Sequence, residues 1–175
     1  MQNKQPPFTN SQKLRAANAT FVDHYAQWAS YMLTLTFAEH KNYSVPGIVQ
    51  IDNLLQHLKA TLNWATWKKR TKHNAKAKIL YIPIVEGLNS SKRTHIHILL
   101  GNVRNKQHLD QFVATYISSS SLLGTRYDIK DIYSADGIGW YLTKETQQIN
   151  TEAVRWNTAL IPSALIPRAF TLLNA

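Results

Sequence analysis

The 175-residue chain contains no cysteine, which excludes a disulfide framework and any thiolate-ligated metal centre. That absence fits a reducing compartment, and the expected location is the cytoplasm. No stretch reaches the apolar length of a membrane span, so no membrane partner is expected. The opening Met1–Pro7 has no apolar core of the signal-peptide kind. A GxxxxGK[ST] phosphate loop is also missing, and with it any recognisable ATPase motor. Glycine and proline are scarce, six of each, and the chain has neither internal repeats nor low-complexity tracts. Acidic residues are few: 10 Asp and Glu stand against 20 Lys and Arg, giving a net charge of +10.

That imbalance points to a polyanionic partner, most simply nucleic acid. Between Asp52 and Asp110, Glu86 is the one carboxylate among eleven Lys and Arg. The densest part is Lys68, Lys69, Arg70, Lys72, Lys76 and Lys78. Such a run is also what a solvated helix end carries. It lacks a matching apolar face, which disfavours a membrane surface.

The length suits one domain with a sizeable core. Residues 1–25 read as a polar extension, loose or a poorly anchored helix, 26–150 as the folded domain, and 151–175 as a tail packed on it. Tyr31–Phe37 alternates, with Met32, Thr34 and Thr36 on one face and Leu33, Leu35 and Phe37 on the other, and predicts a first strand. After Pro46-Gly47, Ile48, Ile51, Leu54, Leu55, Leu58 and Leu62 recur at helical spacing to about Lys69. Ile79–Glu86 predicts a second strand, placed at an edge by Pro83, which cannot donate to a ladder. Thr94–Gly101 follows as the third strand, then a helix over Lys106–Ser118, a fourth strand over Arg126–Tyr133 and a helix over Ala135–Gln148. The expected fold is α+β, an antiparallel sheet of four to five strands in a split βαβ, ferredoxin-like or RRM-like arrangement. Helices cover one face and the other is open for a ligand.

The third strand carries His95 and His97 one residue apart, so both side chains stand on one face while Ile96, Ile98 and Leu100 fill the other. Two neutral imidazoles fixed in this way supply most of a divalent-metal site. Alone, a solvated pair of strand histidines explains them as well. Glu86 ends the strand expected to pair with the histidine strand, and the turn at Gly87–Arg93 returns it beside them. It either adds an oxygen ligand or pairs with Lys92 or Arg93. Two imidazoles and a carboxylate with open positions suit Mg²⁺ or Mn²⁺ better than structural zinc.

Gly139-Trp-Tyr-Leu-Thr-Lys-Glu145 adds a third element. On a helix Tyr141, Lys144 and Glu145 share a face. A phenol is a weak nucleophile unless a cation or an activated electrophile assists it. The bland account of this short pattern is a packed tyrosine and a surface lysine.

YMLTLTF, HIHILLG and YLTKE, in this order and at these distances, resemble the three motifs of HUH endonucleases, and within them the single-tyrosine rolling-circle replication initiators. The resemblance spans residues 31–148. It implies a metal held by His95 and His97 with Glu86 as third ligand, Tyr141 as the nucleophile that forms a 5′-phosphotyrosine, and Lys144 as a charge near metal and phosphate. The implied substrate is single-stranded or hairpin origin DNA, and the missing ATPase implies a borrowed host helicase. Lys68, Lys69, Arg70, Lys72, Lys92 and Arg93 are the candidate backbone contacts. Trp64, Trp67 and Trp140 could stack on bases or pack in the core. Position 145 is Glu, so a second tyrosine four residues along is absent. The late tyrosine separates the chain from conjugative relaxases but not from HUH-type transposases. From a different class, a noncatalytic RRM-like binder predicts exposed aromatics where this chain has Thr34, Thr36, His95 and His97.

Overall fold

The computed structural model describes residues 9–38, 46–72, 74, 76–88, 93–146 and 152–166. The alternation along Tyr31–Phe37 builds strand β1, which is central. It pairs antiparallel with β3 (His95–Gly101) on one side and with β4 (Leu123–Asp131) on the other. Strand β2 (Leu80–Glu86) pairs with β3, giving a four-stranded antiparallel sheet in the order β2-β3-β1-β4. This is the split βαβ arrangement the sequence predicts.

One face takes Leu33, Leu35, Phe37, Ile96, Ile98 and Leu100. It packs against α2 (Ile48–Trp67) through Ile51, Leu54, Leu55, Leu58 and Leu62, and against α3 (Lys106–Ser118) through Leu109, Val113 and Ile117. Removing each such side chain from water contributes ~2 kcal/mol. These contacts fix the plane of the sheet from which the histidines project on the other side.

The second face is covered at one end. There Leu80, Ile82, Ile84 and Leu99 meet α1 (Asn10–Ala26), α4 (Ile138–Leu142) and the segment around Val154. The N-terminal segment is therefore a helix, the second of the two forms expected of it, and it is packed against the sheet. Its cap is a reciprocal pair, with Gln12 N donating to Thr9 Oγ1 at 3.3 Å and Thr9 N donating to Gln12 Oε1 at 2.7 Å. Its buried residues are Asn18, Ala19, Val22, Tyr25 and Ala26, small or polar apart from two. Leu14 and Phe21 are both exposed, so no strong apolar stripe marks the helix.

Strand β2 is the sheet edge, as Pro83 implies, yet every residue in it is buried. The cover is residues 153–160, which run along its outer side with bridges at Tyr81↔Leu160 and Ile84↔Val154. Val85 N donates to Ala153 O at 2.8 Å and Arg155 N donates to Pro83 O at 3.0 Å. Pro83 accepts on that side and has no N–H to offer, so the ladder opens there.

Two elements differ from expectation. Strand β4 starts at Leu123, three residues early, because buried Leu123 pairs with Phe37 across a register shift. The last helix does not run over Ala135–Gln148. Its regular part is Ile138–Leu142, started by Gly137 at φ 77° and ended at Thr143, where φ is −100°. Thr143 Oγ1 donates back to Gly139 O at 2.6 Å, a side-chain competitor for helical bonding, and turns continue to Thr146. Residues 147 and 148 lie outside the described residues.

Candidate metal centre

Register brings the centre together. His95 sits opposite Glu86 on β2 and Thr36 on β1, while His97 sits opposite Ile84 and Thr34. One ligand atom each from Glu86, His95 and His97 fall within 4.8 Å of one another, a group that could hold a metal ion. His95 Nε2 lies 3.4 Å from Glu86 Oε2 and His97 Nε2 lies 3.7 Å from Glu86 Oε1. Glu86 and His97 are buried, and His95 is a quarter exposed.

The outer ring nitrogens explain why both Nε2 atoms face inward. His95 Nδ1 donates to the Arg93 carbonyl at 2.9 Å, which fixes its tautomer and leaves Nε2 as the inward ligand atom. His97 Nδ1 is 3.0 Å from Thr34 Oγ1, one row across on β1. Residue Thr34 thus belongs to the site as a positioning group. Its place on the same strand face as the histidine register was the signal available in sequence.

The electrostatics suit a cation. Burial lowers the His97 pKa from 6.5 to about 4, outweighing the attraction of Glu86, so this ring is neutral at neutral pH. Donating a hydrogen bond to the Glu86 carboxylate raises the His95 pKa, against its partial burial. Burial pushes the Glu86 carboxyl up, but hydrogen bonds from His95 and Lys144 and the charges nearby hold it below its usual value. Glu86 Oε1 is buried and accepts no hydrogen bond from the described residues. An orphaned carboxylate oxygen between two inward imidazole nitrogens is a donor set for a divalent ion.

From α4 and the turn after it come two more of the expected residues. Lys144 Nζ is 2.8 Å from Glu86 Oε2, so the carboxylate pairs with this lysine and not with Arg93, which donates to Phe37 O at 3.2 Å. The same ammonium lies 4.2 Å from the centroid of the Tyr141 ring. Tyr141 is 56% exposed, and its ring centroid is 6.4 Å from that of His97. Glu145 departs from the shared face expected of a continuous helix. It is buried and accepts from Gly87 N at 2.7 Å, tying the turn to the end of β2.

Helix α4 is held close to α1 by Gly139. A Cβ there would come within 2.1 Å of Ala19 O, and Gly139 N donates to Asp23 Oδ1 at 2.6 Å. The exposed Trp140 packs under Arg15, whose guanidinium carbon is 4.7 Å from a ring centroid. It is neither a core residue nor part of the metal group.

The basic candidates divide. Arg93 is exposed and adjoins His95. It lines a cleft with Thr36, Ser120, Thr125 and Arg126. Lys68, Lys69 and Arg70 sit in a 3₁₀ turn after α2, near the Gly101 end of β3 and away from the metal group. Lys72 closes that turn, though its side chain lies outside the described residues, as does all of Lys92.

No family model matches this chain, and neither a curated protein nor a solved structure matches it.

Proposed function

We propose that the chain is a metal-dependent, single-tyrosine enzyme that nicks and rejoins single-stranded or hairpin DNA, as the HUH resemblance implies. The observation that carries this reading is the convergence of Glu86, His95 and His97 with Lys144 and the exposed Tyr141 from a separate element. Residues 86, 95, 97, 141 and 144 come from three segments. The open part of the face beside them carries Thr34, Thr36, Asp128 and Lys130, not the stacking aromatics of an RRM-like binder.

A bound Mg²⁺ or Mn²⁺ would polarise the scissile phosphate. His97 holds a neutral lone pair toward that position, His95 would offer its Nε2 lone pair once its proton leaves, and Glu86 adds negative charge. Tyr141 Oη forms the new bond to phosphorus as the P–O3′ bond breaks, and the phenol proton is released to solvent. The departing oxygen takes up a proton and leaves as a 3′-OH, while the 5′ phosphate stays on Tyr141. Lys144 sets a positive charge beside the negative charge that builds on the phosphate oxygens. Attack by a later 3′-OH reverses the step without ATP.

The test is cleavage of labelled single-stranded and hairpin oligonucleotides with Mn²⁺ by wild type, Tyr141→Phe and His97→Ala, on a denaturing gel that resolves protein–DNA adducts. A covalent adduct in wild type, lost in both variants, is the expected result. An adduct that persists in Tyr141→Phe moves the nucleophile to Tyr133, which is 94% exposed. Binding without cutting under any divalent metal would replace the enzyme with a noncatalytic binder.

A further inference from the structure

The basic run does not lie at the metal group, and its position has its own logic. Helix α2 ends at Trp67, and Lys68 leaves it at φ 51°, turning Lys69 and Arg70 outward. The turn, the end of α2 and Arg104 enclose a groove of ≈ 540 Å³ lined by Trp64, Trp67, Lys68, Lys69, Arg70 and Arg104. Among the described residues, no Asp or Glu lines it.

Two contacts fix its walls. Trp67 Nε1 donates to Asn102 O at 3.2 Å, which locks that indole. Arg104 Nε donates to Thr66 O at 3.2 Å, which orients the guanidinium. Asn102 Nδ2 also donates to the carbonyls of Lys76 and Lys78 at 2.9 and 2.8 Å, which keeps that part of the basic run alongside. Over this anchored floor, Trp64 is 51% exposed. A large exposed aromatic beside the cations Lys69, Arg70 and Arg104 matches the chemistry of a single nucleic-acid strand: phosphates for the cations and a base for the ring. The groove adjoins Gly101, at the far end of β3 from His95. At ~3.3 Å per residue that separation is ~20 Å.

We propose that the Trp64–Arg104 groove is a second docking site for single-stranded nucleic acid, separate from the metal centre. In it Lys69, Arg70 and Arg104 meet backbone phosphates and one base stacks on Trp64. The groove holds a flanking stretch of the strand while another stretch reaches the metal face. The inference rests on the proposed DNA substrate for the class of its ligand.

Fluorescence anisotropy with a fluorescein-labelled oligothymidylate, and with an abasic strand of equal length, tests it. Chelator replaces the divalent metal, so nothing is cut. Trp64→Ala should weaken thymidylate binding about tenfold and leave the abasic strand unaffected, while Trp64→Phe restores binding. The Lys69→Ala/Arg70→Ala double variant should weaken both strands and flatten the dependence of log affinity on log salt by roughly 0.7 per lost phosphate contact. Thermal melts establish that the variants fold. A Trp64→Ala loss that is equal on both strands, or absent, overturns the proposal. Binding that depends on Trp64 in a protein that forms no adduct would end the nicking proposal and keep this one. An adduct with binding indifferent to Trp64 would do the reverse.

Discussion

Lys144 Nζ and Glu86 Oε2 stand 2.8 Å apart, so a lysine from the turn after α4 neutralises the carboxylate that two inward imidazoles also face. A metal ion and this ammonium draw on the same negative charge. Lys144→Met, which keeps the stem and removes the charge, should raise Mn²⁺ affinity by about twofold to fivefold, a modest gain because Lys144 is 35% exposed and screened. The same variant should slow strand cleavage at least about tenfold, since the charge beside Tyr141 is lost. Calorimetric titration with Mn²⁺ and single-turnover cleavage read the two effects separately. A fall in metal affinity would mean that Lys144 serves to hold Glu86 in its ligand orientation.

Metal binding should depend on pH through His95 and not through His97. Glu86 raises the His95 pKa above 6.5, so a proton competes with the metal for this ring in mild acid. His97, at about 4, stays neutral throughout that range. Mn²⁺ affinity should therefore fall with a one-proton slope as pH drops through the raised His95 value. Titrations at stepped pH check this, and an affinity that stays flat down to about pH 5 would remove His95 from the ligand set.

The metal-free protein should show the opposite sign for one ring and the same sign for the other. His95 has a raised folded pKa, so its pairing with Glu86 stabilises fully below 6.5 and is lost as pH rises through the folded value. His97 has a depressed one, so its contribution is present above 6.5 and is lost as pH falls toward about 4. A shift of that size is worth roughly 3 kcal/mol. Denaturant melts of the chelated protein should thus lose stability between pH 6.5 and 4, and His97→Gln should flatten that limb.

The antiparallel sheet, its edge strand and the Glu86–His95–His97 group were legible because each rests on a period of two and a short turn. Alternation places a side chain on a face, and pairing across Gly87–Arg93 then places Glu86 beside His95. The anchoring of helix α1 was not legible, because its buried side is Asn18, Ala19 and Ala26 as much as Val22 and Tyr25, and packing decides it rather than hydrophobic pattern. The end of α4 escaped because Glu145 reads as a helical neighbour of Tyr141 until its carboxylate is seen on Gly87 N. Nor does charge density disclose geometry: Lys69 and Arg70 dominate the sequence, yet they lie at the wrong end of β3 for the metal group.

Gly139→Ala isolates the placement of Tyr141. A Cβ would stand 2.1 Å from Ala19 O, backbone that cannot swing aside, so α4 must lift from α1. Overpacking of this kind costs ~1–3 kcal/mol. Tyr141 and Lys144 ride on that segment, whereas Glu86, His95 and His97 sit on β2 and β3. The expected result is a lower melting temperature, a marked loss of adduct and nearly unchanged Mn²⁺ binding. Unaltered adduct formation would show that α4 tolerates the shift and that its docking does not set the tyrosine.

Arg155 decides whether the segment covering β2 stays in place. Arg155 is only 6% exposed, and its guanidinium donates to both Asp52 carboxylate oxygens at 2.8 and 2.6 Å and to Glu152 Oε2 at 2.8 Å. Those bonds join the first turns of α2 to the strip that supplies Ala153 O to Val85 and takes Pro83 O through Arg155 N. Arg155→Met keeps the apolar stem and removes every charged bond, leaving Asp52 with Asn157 at 3.1 Å. The expected cost is roughly 3 kcal/mol. Because the lost bonds hold an edge cover and not the main core, the damage should be local first. Hydrogen exchange at the Val85 amide and protease cutting within residues 152–166 should both rise before the global melt. Asp52→Asn in the same chain should recover part of the loss, since it removes the carboxylate left without its guanidinium. A melt within about 0.5 kcal/mol of wild type would mean that the bridge is replaced by water, and that the apolar contacts of Ala153 and Val154 alone seal the edge of β2.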